Sequence, residues 1–160
     1  MSVKIDRTAL RRVKHKVKRV GERADNPITV WPRVGSYLSN VTYRQFVTRG
    51  AYHGTPWQPL KPWYAQWKLR AGYGRTMLVL TGRLKASWVS RPMSIEHYTR
   101  HKGTFGSDNP LVVFHQYGTR RGLPARKMLV VTPKMVNDIS DIFAEYVTTG
   151  RIGTVKNRIL

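Results

Sequence analysis

Cysteine is absent from this chain of 160 residues, which excludes disulfide staples, thiolate zinc sites and cysteine nucleophiles, and suits assembly in a reducing cytoplasm. Acidic residues are scarce: 8 Asp and Glu stand against 29 Lys and Arg. An acid–base enzyme needs paired carboxylates, or a histidine with an orienting partner, in a cleft. Here Asp6, Glu22, Asp25, Glu96, Asp108, Asp138, Asp141 and Glu145 fall mostly at expected helix caps or on helix surfaces, where capping and the helix dipole account for them. No run of about 18 apolar residues is present to span a bilayer. The opening MSVKIDRTAL lacks the apolar core of a secretory signal.

The histidines and glycines add no chemistry. His97 and His101 are four apart in a strand-like stretch, a spacing of about 13 Å that cannot share a metal. His115, beside Gln116, reads as a hydrogen-bonded structural residue. Gly72-Tyr73-Gly74 and Gly103-Thr104-Phe105-Gly106 match neither a dinucleotide-binding unit nor a phosphate loop and read as turns. The expectation is a protein that is not an enzyme, with no catalytic, cofactor-binding or metal-ligating residues.

What the chain does have is positive charge, a formal +21 with 41% hydrophobic content. The length suits one domain with its own core. The charge implies a polyanionic or acidic neighbour. The expected organisation is a basic helical N-terminal region (1–50), an α+β body (51–149) and a C-terminal tail (150–160). From Asp6, Leu10, Val13, Val17 and Val20 recur at helical intervals between Arg11, Arg12, Lys14, Lys16, Lys18 and Arg19, a basic amphipathic helix capped by Asp6 and closed by Gly21. Arg11, Arg12, Lys14 and Lys18 are the candidate polyanion contacts, able to neutralise phosphates without reading sequence.

A second helix begins near Pro32, since proline is excluded from helix interiors, and a short third one covers Pro62 to Leu69, with Trp57, Trp63 and Trp67 expected as structural pins. The period then changes to two. Strands are expected at Ala86–Arg91, Ile95–Arg100, Thr104–Ser107, Leu111–His115 and Met128–Val131, separated by turns at Gly103, Gly106 and Asn109-Pro110. The last helix is capped by Thr132, started by Pro133 and stopped by Gly150, with Met135, Val136, Ile139, Ile142, Phe143, Tyr146 and Val147 as its apolar stripe. The fold class is therefore α+β, a small antiparallel sheet packed against a long C-terminal helix with helices before it. The remaining RIGTVKNRIL reads as a basic tail that packs on a neighbouring subunit or stays mobile.

Two passages are more specific. One runs Gly54-Thr55-Pro56-Trp57-Gln58-Pro59-Leu60, then Tyr64 and Trp67-Lys68, then Leu78 and Leu80-Thr81-Gly82-Arg83-Leu84-Lys85-Ala86-Ser87. The other is His115-Gln116-Tyr117-Gly118 followed by Leu123-Pro124-Ala125-Arg126-Lys127-Met128-Leu129. In order and spacing they resemble the phage virion morphogenesis, or tail-completion, family over about Phe46 to Leu129. The motifs read as architectural: Thr81-Gly82 turns sharply into a strand, Trp57 and Leu60 plug a loop onto the core, and Pro124-Ala125-Arg126 presents one fixed charge.

The resemblance implies a structural virion protein of a tailed bacteriophage, assembled in the host cytoplasm and placed at the head–tail neck as a tail-completion or joining subunit. Its implied partners are copies of itself in a ring, six being favoured, and neighbouring portal, adaptor or stopper, or tail terminator or tube proteins, with DNA in the lumen and no membrane. Candidate inter-subunit contacts are Trp57, Leu60, Arg83, Tyr117, Arg120, Arg121 and Arg126. The alternative is a nucleic-acid-binding protein that grips phosphates through its basic helix.

Overall fold

The computed structural model describes residues 7–152, apart from the side chains of Arg7 and Ala9. Its order is α1 (Arg7–Asp25), α2 (Trp31–Val47), α3 (Pro62–Arg70), α4 (Arg83–Val89), β1 (Ile95–Tyr98), β2 (Gly103–Gly106), α5 (Leu111–Tyr117) and α6 (Pro133–Thr149). The α+β class holds, with helices dominant and a single two-stranded antiparallel sheet among the described residues. Ile95 pairs with Gly106 and Tyr98 with Gly103.

Helix α2 is the centre of the body. Its residues enter two buried clusters, one with Phe46, Trp57, Met77, Leu84, Trp88, Met93 and Met128, the other with Val30, Val34, Tyr37, Val41, Met135 and Ile142. Leu38, Phe105 and Leu129 pack against both, so Phe105 ties the small sheet to the same core that α6 covers. Gln45, fully buried on α2, has its polar groups in use: its amide donates to Thr55 Oγ1 and Lys127 O, and its Oε1 accepts from His53 N. A buried amide is tolerated when its bonds are made.

Helix α6 begins as its sequence predicts, with Thr132 Oγ1 accepting from Met135 N at 3.2 Å, and ends at Gly150 in the left-handed conformation. Arg23 of α1 donates to the last α6 carbonyls, Tyr146 O at 3.3 Å and Val147 O at 3.0 Å, where a cation complements the negative end of the helix. Asp6, expected as the α1 cap, lies outside the described residues, as does the tail beyond Ile152. Gly21 does not end α1. The helix runs on to Asp25, where Asn26-Pro27 stops it because a residue before proline is disfavoured in helical geometry.

Three expected strands are something else. Ala86–Arg91 falls largely in α4, where Leu84 and Trp88, four apart, are both buried, and helical spacing outweighs the two-residue alternation. Thr81-Gly82 accordingly turns into a helix, with Gly82 left-handed at its N-terminus. Leu111–His115 lies in α5, whose first N–H is met by Asn109 Oδ1 at 3.0 Å; a short apolar run does not distinguish strand from helix. Met128–Val131 forms no strand and has no partner strand. The Gln116 side chain takes that place, accepting from Met128 N at 2.9 Å and donating to Leu129 O at 2.7 Å.

Gly50 follows α2 with φ +90, and a Cβ there would run into Thr55 O and the Trp57 ring. Gly50→Ala is therefore expected to cost about 1–3 kcal/mol or more from backbone strain alone, read as a lower urea midpoint with an unchanged slope.

Candidate functional site: an apolar groove with a cationic rim

The two motif-bearing passages meet in space. They surround a groove of about 750 Å³ whose lining includes Leu60, then Leu78, Leu80, Thr81, Gly82 and Leu84, then His115, then Pro124 and Arg126. Helix α3 adds Trp63, Tyr64 and Lys68, and the start of α5 adds Leu111.

Two buried cations hold its walls. Arg126 is 5% exposed and donates from Nε to Gln58 O at 3.0 Å and from Nη2 to Pro59 O at 3.2 Å, clamping the Trp57–Leu60 loop to the Pro124–Arg126 segment. Trp57 closes the same joint from below: its ring meets Phe46 edge-on at 5.4 Å and its Nε1 donates to Lys127 O at 2.9 Å. Lys68, 2% exposed, donates to Thr76 O and Val79 O, both at 2.7 Å. Those bonds fix the turn in which Leu78 adopts a positive φ of 57, a strained geometry for a branched side chain that persists only where surroundings enforce it.

Burial lowers the pKa of Lys68 and of Arg126, since a low-dielectric setting disfavours the charged form. Both cations bond only to neutral carbonyls, and neither enters an ion pair among the described residues. His115 lines the groove with its Nδ1 buried and without a hydrogen-bond partner.

The expected site residues separate into three sets. Leu60 lines the groove half-buried, while Arg83 and Arg121 are exposed at its rim. Tyr117, 78% exposed, and Arg120 stand outside its lining. Trp57 and Arg126 are corrections: both side chains are enclosed by their own chain, so neither offers a contact surface and Arg126 presents no charge to solvent. Trp63 and Trp67 are likewise not buried pins but 66% and 46% exposed, Trp67 stacking on Tyr64 at 5.4 Å. Lys61, Lys68, Leu80 and Leu111 escaped the sequence reading as groove residues. Lys68 and Leu80 stand in the motif passages, but nothing in their spacing marks them as facing one cavity.

On α1, Arg11, Arg12, Lys14 and Lys18 are exposed, with Lys18 3.7 Å from Glu22. The apolar stripe between them is exposed as well, Leu10 at 61%, Val13 at 59% and Val17 at 65%. Only the end of α1 is anchored by Arg23, and nothing in the described chain covers the earlier turns.

Fold and groove together describe a helix-rich body that presents an apolar groove with a cationic rim. The chain belongs to the phage virion morphogenesis family, whose model matches residues 8–148. No curated protein and no solved structure matches it significantly. The protein is thus a phage virion-assembly protein. No helix among the described residues is long and apolar enough to cross a membrane.

The groove histidine carries a pH signature. Burial lowers the pKa of His53, and burial followed by the Arg126 charge lowers that of His115. With folded values below the unfolded one of about 6.5, the unfolded chain takes up protons first as pH falls; these two histidines leave stability unchanged above about pH 6.5 and lower it progressively below. Urea midpoints measured down to mildly acid pH should fall, and His115→Gln should flatten that dependence.

Proposed function

We propose that this protein is a structural subunit of the head–tail neck, completing or joining the tail as a ring of identical copies, and that it is not an enzyme. The observation that carries the reading is the uncovered apolar stripe of α1 on a chain of the virion morphogenesis family. A helix that buries only its last turns in its own body leaves Leu10, Val13 and Val17 for a neighbour, and a closed ring covers such a stripe on every copy. The basic face carrying Arg11, Arg12, Lys14 and Lys18 then faces DNA or acidic partner surfaces.

A phage with a nonsense mutation in this gene tests the reading. Negative-stain images of its lysate should show filled heads apart from finished or overlong tails. Normal infectious particles would overturn the neck role and favour a nucleic-acid-binding protein, for which duplex affinity would fall with a log–log salt slope of about 0.9 per phosphate neutralised.

A further inference from the structure

The groove combines an apolar floor with charge of a single sign. Its floor is aliphatic, with Leu78, Val79 and Leu84, while Leu80 and Leu111 remain 41% and 49% exposed at its edge. Every formally charged side chain in the lining is cationic: Lys61, Lys68, Arg83, Arg121 and Arg126, with no Asp or Glu. Lys68 and Arg126 are buried and spend their donors on neutral carbonyls, so their charge is uncompensated by any carboxylate. Low-dielectric walls focus such a field into the cleft.

From this we infer that the groove is a docking site for an acidic amphipathic segment of a different protein, one that seats two or three apolar side chains on the leucines and sets carboxylates against Arg83 and Arg121. A second copy of this chain is a poor occupant. Of the seven described acids, Glu22, Asp25, Glu96 and Asp138 are engaged in ion pairs, and a chain with a formal charge of +21 repels itself at a cationic cleft. Nucleic acid is disfavoured by the floor, because phosphates gain nothing from leucine side chains and would lose their hydration there. The groove chemistry stands apart from the neck reading and does not rest on it.

Fluorescence anisotropy on the full-length protein tests the inference with three labelled peptides of equal length. One has leucines at helical spacing flanked by glutamates, one replaces its leucines with alanine, and one replaces its glutamates with lysine. The leucine–glutamate peptide should bind at least tenfold tighter than either control. Leu80→Gln and Arg83→Glu, both at exposed positions, should each weaken it severalfold or more, whereas Lys102→Glu, at an exposed position between β1 and β2 outside the groove lining, should leave it unchanged. Equal binding of the alanine peptide, or indifference to Leu80→Gln, would reduce the effect to net charge and overturn the inference. Displacement of the peptide by a single-stranded oligonucleotide whose own binding is weakened by Leu80→Gln would replace it with a nucleic-acid site. A neck defect absent from the mutant phage would leave these peptide results untouched, so the two readings fail separately.

Discussion

Trp57→Ala is expected to destabilise the protein by about 3–5 kcal/mol, the range for removing a buried large aromatic. That is a large part of the roughly 5–15 kcal/mol available to a domain. The ring packs edge-on against Phe46 in the cluster that also holds Met77, Leu84 and Met128, so its loss empties the joint between α2, the motif loop and the segment after α5. The indole N–H matters less than the ring. Lys127 O also accepts from the Gln45 amide at 3.0 Å, so Trp57→Phe should cost far less, about 1 kcal/mol for the lost hydrogen bond plus a share for lost ring volume. Chemical denaturation of both variants checks this: an alanine variant as stable as wild type would remove the residue from its structural role.

The second large effect is on assembly and leaves folding intact. Val13→Gln combined with Val17→Gln changes two exposed positions to a residue that favours helix, so thermal stability should stay within about 0.5 kcal/mol of wild type. Each valine buried against a neighbour would contribute about 1.5 kcal/mol, so losing two weakens each subunit contact by roughly 100-fold. If the proposed ring forms through this stripe, analytical ultracentrifugation should show a closed oligomer for wild type and monomer for the variant, and the variant gene should fail to rescue the mutant phage. A double variant that still assembles would place the subunit contact elsewhere and leave the α1 stripe without a role in the ring.

The helices were legible where local chemistry and long periodicity agree. The Thr132-Pro133 start and Gly150 stop of α6 are written in residues whose backbone preferences act within one turn. The three- and four-residue recurrence in α1 is long enough to be unambiguous, and it reads correctly as amphipathic, although the sequence does not say that its apolar face is left uncovered. The strand errors arise where segments are short. Leu84-Lys85-Ala86-Ser87-Trp88 satisfies both a two-residue and a four-residue period, and only the core that receives Leu84 and Trp88 chooses between them. Met128-Leu129 has the composition of a strand, but its hydrogen-bond partner is the Gln116 side chain, a pairing between residues 12 positions apart that no pattern announces.

The site divides in the same way. Sequence alone determined the family, from an ordered set of motifs, together with the large positive charge, the basic α1 and the lack of cysteine chemistry, because each is a property of residue identity and spacing. Tertiary structure decided what the motifs are for. It turned Trp57 and Arg126 inward to clamp two loops and turned Trp63 outward. It also gathered Leu60, Leu80, His115 and Pro124 around one groove beside two buried cations. Which face of a loop residue meets solvent depends on contacts between distant segments, and the free energy that sets it, burial of the tryptophan and satisfaction of the guanidinium by Gln58 and Pro59 carbonyls, exists only once those segments have come together.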